Sequence, residues 1–433
     1  MLGLVVCCTV CAVAAVVGCI YPYVAFLTYV AFAIIKPSEM WFWSLGGVNL
    51  SAVVSVGLII GWILQALGNW HLRFGWLPML CLLAFWGWAW VSWCDATETS
   101  LPPSLLQFLP AGLSGQEERG LETILALGKI IFPCFIGATL LDTPRKVYGL
   151  CWTMVLAQGY ICWEMNLAYV VDGYNRIHEE GLGGFDNNCM AVSLVATTIP
   201  AWLLALRSPQ WWQKVLAAFL GLLHLHTVLL SFSRGGMMAL AVSLCVAFLA
   251  IPGGWRKYAL LSVLIVFALR FAGPEVRDRF LSIFQERERL DASARSRLEL
   301  WRDCIDVISK RPLCGIGPDN WPAIAPAYGW PEGKEAHTLW LQVGAELGLP
   351  GLAFLLGYYI SVSWRLYRHT YASFHLQTVR DGVLAGLAGF MVAAQFVSIE
   401  LLETPYYLAL CGVGALRYVP KVPWLSENAH VLT

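Results

Sequence analysis

Apolar residues along this chain gather into long runs closed by short polar breaks. The runs fall near 2–19, 20–36, 47–66, 75–94, 121–141, 147–171, 187–206, 211–231, 235–251 and 256–273, and after a long polar interval near 339–364, 381–399 and 403–418. Crossing the hydrocarbon of a bilayer takes about 20 consecutive apolar residues in a helix. Strands of a membrane barrel would alternate apolar and polar positions, and these runs do not alternate. The pattern predicts an all-α integral membrane protein. The first and last pairs of runs are short and can be counted differently, which gives about 12 transmembrane helices within a range of 11–13. The chain is apolar from Leu2 onward, without a charged leading region or a small-residue cleavage site ahead of soluble sequence, so the first run is expected to be a retained span.

The polar interval divides the chain into a first bundle part (1–273), a long loop (274–338) and C-terminal spans with a short tail (339–433). Lys and Arg in short loops collect on the cytoplasmic side. Arg145 with Lys146, Arg207 with Lys214, Arg256 with Lys257, and Arg365, Arg368 and Arg380 occupy four alternate loops. The intervening short loops carry only Arg176 and Arg234. The long loop is therefore expected outside the cytoplasm, in the periplasm of a cell with two membranes. From Glu275 to Arg311 it holds eight acidic and nine basic residues, the chemistry of a solvated helix with local ion pairs. Leu298, Trp301, Ile305 and Ile308 recur at steps of three and four and predict one apolar stripe. Pro312 closes that helix, "CGIGPDNWP" reads as turns, and a second helix is expected from near His337 into the next span. The loop is thus expected to form a long helical extracytoplasmic cap on the membrane mouth.

Composition agrees: of 433 residues 58% are hydrophobic and 13% charged, against about 25% charged in soluble domains. The formal net charge is zero, so no basic field for nucleic acid exists. Most of the 14 cysteines lie inside apolar runs, where Cys acts as a small hydrophobe. The "CCTVC" at Cys7 to Cys11 has no His or carboxylate beside it and reads as span. Cys304 and Cys314 read as helix surface followed by loop, with pairing in an oxidising compartment the alternative.

The predicted topology gathers one set of polar groups at the outer face. Arg176 follows one span, Asn187 and Asn188 open the next, and Arg234 stands in the hairpin "SFSRGG". Arg295 and Arg297 begin the loop helix, and His337 precedes the late span. Guanidinium groups suit phosphate oxygens and stay charged when half-buried, and imidazole accepts a proton near neutral pH. The set fits an anionic, membrane-held substrate and a step that needs a base. Each residue also has an ordinary reading. Arg234 can snorkel to the interface; Arg176 has Glu179 and Glu180 as partners; Arg295 and Arg297 have Asp291 and Glu299; His337 can be a solvated loop histidine. Asp303 and Asp306, with Lys310 at i+4, read as a helix face. No metal-ligand spacing, G-x-S-x-G, Walker loop or G-x-G-x-x-G occurs, so no cofactor is implied.

Four stretches in order, "GGFDNNCMAVSL", "SFSRGGMMALAV", "DASARSRLELWRDCIDVISKRPLCGIGPDNW" and "EAHTLWLQVGAELGLPGLAFLL", resemble the O-antigen ligase superfamily of membrane glycosyltransferases, and within it the O-glycosylation ligase branch. The resemblance covers roughly residues 165–360. It implies transfer of a glycan from a polyprenyl (undecaprenyl) diphosphate carrier to a glycolipid or protein hydroxyl, with inversion and without a metal. The setting it implies is the extracytoplasmic face of the cytoplasmic (inner) membrane. By the same resemblance Arg234 and Arg297 bind the pyrophosphate, with Arg176 a less regular match. His337 is the general base, and Asn188, Gln342 and Glu346 serve positioning or packing, with Arg295 beside them. A polysaccharide polymerase of the same superfamily would share these features. A lipid-linked glycan transporter or flippase would instead spread charge through several spans and break helices in related halves. A scaffolding protein needs none of them.

Overall fold

The computed structural model describes residues 2–98, 114–250 and 292–419, together with Tyr258, Ser262, Val266 and Arg270. Among these residues the chain is helical, and the sole bridge outside helices joins Leu182 to Phe185. The helices are α1 (Leu2–Gly18), α2 (Pro22–Ile35), α3 (Leu50–Leu64), α4 (Trp76–Glu98), α5 (Ser114–Leu140), α6 (Pro144–Asp172) and α7 (Asn187–Arg207). They continue as α8 (Trp211–Leu230), α9 (Arg234–Ala250), α10 (Ala292–Lys310), α11 (Leu339–Tyr367), α12 (Phe374–Ala393) and α13 (Glu403–Leu416). Of these, α4, α5, α7, α8 and α11 are long and apolar enough to cross a bilayer. The expected run 256–273 and the charged stretch 274–291 lie outside the described residues, apart from the four named above. Elsewhere helices occupy the apolar runs, with one exception: the run 381–399 is helical only to Ala393, and 394–402 is irregular. That irregular segment meets the long loop, where Leu339 N–H donates to Ala394 O at 2.9 Å.

Two helices form the core. Every residue of α13 from Thr404 to Leu416 is buried, as is every residue of α7 from Cys189 to Leu204. A helix apolar on all sides must be enclosed by protein or by lipid, and these two are enclosed by protein. Helices α1, α3 and α4 instead leave Val13, Val16, Val56, Ile63 and Leu80 exposed, the surface that lipid would cover. Against α1, Gly57 and Gly61 of α3 touch backbone: a Cβ on either would strike the carbonyl oxygens of Ala15 and Gly18. Small residues four apart permit that approach.

Helix α11 is broken at Gly348, whose φ of 70° lies in the left-handed region and whose missing Cβ makes room for the Leu313 carbonyl. Pro350 follows. A break inside an apolar helix leaves carbonyls that must find donors, and the turn-rich loop and α4 supply them. Ile316 N–H donates to Ala345 O (3.1 Å), Gly317 N–H to Glu346 O (2.9 Å), and Trp88 Nε1 to Leu347 O (2.9 Å). The Ser92 hydroxyl donates to Glu346 O at 3.0 Å. Thus "CGIGPDNWP", a run of turns in sequence, is the cap on a discontinuous helix.

Helix α10 lies across this loop, but its buried line differs from the expected stripe. Leu300, Cys304 and Val307 are buried against Ile316, Trp321, Ile324, Ala336 and Ala345, whereas Leu298 and Ile305 are about half exposed, at 49% and 54%. Trp301 and Ile308 flank the buried line. Two stripes about one residue apart fit the same period, and the partner surface decides between them. Cys304 is buried there and unpaired with Cys314. Asp303 and Asp306 are structural: Trp330 Nε1 donates to Asp303 (2.7 Å), the Tyr328 hydroxyl to Asp306 (2.8 Å), and Lys310 pairs with Asp306.

At the opposite end of the bundle Asp381 accepts from both Arg207 and Arg380, each at 2.6 Å. Arg207 is the last residue of α7, and Arg380, expected in a loop, lies inside α12.

Candidate functional site

The hairpin between α8 and α9 is tight, and its residues explain how. Phe232 adopts φ 51°, Ser231 Oγ accepts from Ser233 N–H (3.2 Å), and Ser233 Oγ accepts from Gly236 N–H (3.2 Å), capping α9. Gly235 lies against the Phe396 ring and Gly236 against Ala191. Arg234 is thereby fixed as the first residue of α9. Two asparagine amides hold the hairpin's own carbonyls: Asn175 Nδ2 donates to Leu230 O (2.9 Å) and Asn187 Nδ2 to Ser231 O (2.8 Å). Asn187→Ala is expected to cost about 1–3 kcal/mol of stability, since a buried carbonyl loses its donor. A thermal inactivation midpoint in detergent equal to that of the native chain would contradict the clamp.

His337 approaches from the loop. It too has a positive φ, 52°, a conformation that non-glycine residues adopt only under restraint. The restraint comes from both sides. Ala336 N–H donates to Gln342 Oε1 (3.2 Å), and Leu339 N–H donates to Ala394 O. Gln342 in turn donates to Glu346 Oε1 (3.2 Å), and Glu346 accepts the Asp319 and Trp321 N–H groups at 3.1 and 3.2 Å. Both side chains are buried. They brace the backbone on either side of the loop that carries His337.

Electrostatics show which groups face one another. Burial lowers the pKa of the Arg297 guanidinium, the Arg234 charge lowers it further, and Asp186 opposes. Burial brings the His337 imidazole down to about 4, helped by Lys334 and Arg297 and opposed by Asp186. Burial alone would raise the Asp186 carboxyl; hydrogen bonds from Cys189 and Asn188, and then His337, outweigh it and hold it below the ordinary value. Arg297 therefore lies within electrostatic reach of Arg234, His337 and Asp186, and His337 within reach of Asp186, so three separate stretches meet around Arg297. The Asp186 carboxylate caps α7, its Oδ1 accepting from Cys189 N–H at 2.8 Å.

The other expected residues sit around this group. Asn188 Nδ2 donates to Asp186 Oδ2 and to Asn187 Oδ1, both at 3.2 Å. Arg295 is on the exposed side of α10. Arg176 points elsewhere: its Nε donates to Glu180 Oε2 at 3.0 Å and its guanidinium touches the Met40 sulfur. Sequence reasoning passed over Asp186, although an Asp directly ahead of an apolar helix is the usual capping signal. It also passed over Asn175 and Asn187 as clamps, for which sequence carries no signal.

Residues 216–356, from within α8 to just past the break in α11, match the family model of the O-antigen ligase. The matched segment is about a third of the chain. The match agrees with the resemblance carried by the four stretches and supports a membrane glycosyltransferase of the ligase or polymerase kind. Of the grouped residues, Arg234, Arg297 and His337 fall inside the matched segment and Asp186 outside it. Residues 1–101 match a family of unknown function (DUF5935). No curated protein matches the chain.

Proposed function

We propose that this O-antigen ligase-like chain moves a glycan from a polyprenyl-diphosphate carrier to an acceptor hydroxyl, at the extracytoplasmic face of the cytoplasmic membrane. The observation that carries the reading is the convergence of Arg234, Arg297 and His337 on one end of the bundle. Two guanidinium groups brought together repel one another, and a diphosphate ligand removes that cost. In the reaction His337 takes the acceptor hydroxyl's proton as its oxygen bonds the anomeric carbon. The bond from that carbon to the phosphate oxygen breaks, with inversion, and the leaving diphosphate gains charge between Arg234 and Arg297. Fixed donors aimed at developing charge in a dry site are usually the largest contribution to catalysis. Asp186 orients the arrangement from the other side, the segment 292–338 caps it, and Arg295 stays at its rim.

An apolar groove of about 440 Å³ supports the lipid part of the donor. It runs between α9, α11 and α12, lined by Val246, Tyr359, Leu384, Leu387 and Met391 among others. Its near edge is Met391, whose carbonyl accepts from Trp340 Nε1, three residues after His337, and its other end runs to Trp364 and Tyr367 at the far end of α11.

Purified protein, a polyprenyl-diphosphate glycan and rival hydroxyl acceptors test the reading: carrier diphosphate and a new glycoside should form together. Release of neither would end it. Cysteine labelling should reach positions 319 and 334 only from outside the cell; labelling from the cytoplasm would reverse the orientation. The acid limb of kcat/KM should lie near pH 4 instead of the ordinary imidazole value near 6.5, because the folded His337 stays neutral down to about 4. Stability runs the same way. As pH falls from about 6.5 to 4 the unfolded chain binds this proton and the folded chain does not, so stability falls with pH across that window. A limb near 6.5 would mean that the base is another group.

A further inference from the structure

A second cavity, of about 610 Å³, lies beside the site on the side of α2 and α3. The chain leaves α2 through Lys36 (φ 49°), makes two short helical turns, Pro37–Met40 and Phe42–Leu45, and enters α3 after Asn49. The cavity sits in this bend. Its polar lining is Lys36, Ser38, Glu39, Asn49, Ser51 and Glu403, with Phe42 at its edge. Phe42 and its T-shaped neighbour Trp43 are 64% and 65% exposed. Aromatic side chains left open beside a membrane helix end are the ones that settle at the lipid headgroup level.

The lining favours a hydroxylated ligand over an anion. Hydroxyls, an amide and a carboxylate donate to and accept from alcohols, and an aromatic face packs on a sugar ring. A phosphate would meet the Glu39 charge. The one cation, Lys36, is already engaged: its ammonium lies over the Phe185 ring at 3.9 Å and donates to Gly183 O at 3.4 Å. Those contacts also tie the cavity to the site. Gly183 lines the cavity, and three residues later Asp186 stands beside His337, a reach of at most ~11 Å along the chain. Helix α13 packs against both α2 and α12, so the cavity and the apolar groove flank the buried core. In an inverting displacement the incoming hydroxyl and the leaving diphosphate occupy opposite faces of the reacting carbon.

We propose that the cavity bounded by Ser38, Glu39, Phe42, Asn49 and Ser51 binds the sugar headgroup of a membrane-held acceptor. The inference rests on the glycan-transfer reading for the word acceptor, but not for the sugar site itself. It also gives the N-terminal segment, matched only to a family of unknown function, a task.

The test uses the full chain in nanodiscs, with glucosyl-diacylglycerol as the sugar probe and phosphatidic acid as the phosphate probe, bound lipid being counted by native mass spectrometry. Ser38→Trp, which fills the cavity, and Glu39→Gln, an exposed and mild change, should each weaken the glucosyl lipid about tenfold and leave phosphatidic acid unchanged. Equal glucosyl-lipid binding in both variants and the native chain overturns the site, as does phosphatidic acid binding that depends on these residues. In the transfer assay Glu39→Gln should raise acceptor KM but not donor KM. Unchanged acceptor KM overturns the acceptor role. Site-dependent sugar binding by a native chain that transfers nothing keeps the cavity and discards the transfer reading, so the two failures are told apart.

Discussion

His337→Ala is expected to lower glycan transfer by about 10²–10⁴-fold, the usual contribution of a positioned general base. Insertion and folding should be unaffected. Among the described residues the braces act on its neighbours' backbone, through Ala336 and Leu339, and not on the imidazole. The left-handed φ at residue 337 costs alanine about as much as histidine or more, so a small loss of stability is the most that should appear. Gln342→Ala gives the complementary result. It removes the acceptor of the Ala336 N–H while leaving the base itself, and should reduce kcat by less than His337→Ala. Near-normal transfer by His337→Ala would remove the base from the mechanism. Equal collapse of transfer and of thermal stability in that variant would make His337 structural.

Much of this architecture is legible in the sequence because bilayer length and apolar runs are nearly the same information. The helices begin and end within a few residues of the runs wherever a Pro, Gly or capping residue closes them, as Thr143–Pro144 and Gly173 do for α6. What failed was set by partners distant in sequence. Ile305 looked like core, yet the groove that receives α10 accepts Cys304 instead, because Trp321 and Ile324 shape it. Residues 394–399 read as span, yet they leave the helix to receive Leu339. The run 339–364 read as one span, and its break at Gly348 shows only with the loop that fills it.

The candidate site divides in the same manner. Arg234 stood out as a cation between two apolar runs, while Arg297 and His337 were singled out by the predicted topology and by the resemblance, signals that survive without coordinates. Asp186 was ordinary by composition and became part of the group only by folding. Arg176 had the weakest pattern of the three arginines, and the structure occupies it with Glu180.

Arg234→Lys is expected to lose about 10²–10³-fold in transfer although the charge is kept. The argument begins with the helix. A cation in the first turn of α9 opposes the helix dipole, a placement that costs about 0.3–1 kcal/mol unless an anion shares the position. Snorkelling would account for a cation there but would be satisfied by lysine, whose longer-lived hydration suits the interface better. A diphosphate would not be satisfied, since the planar fork grips two oxygens and an ammonium holds one. The same logic fixes how Arg234 and Arg297 combine. If both hold one leaving group, removing either leaves the other misaligned, and Arg234→Ala with Arg297→Ala should lose far less than the product of the single losses. Simple multiplication of the two losses would separate their ligands, and full activity of Arg234→Lys would return this residue to the membrane surface as an anchor.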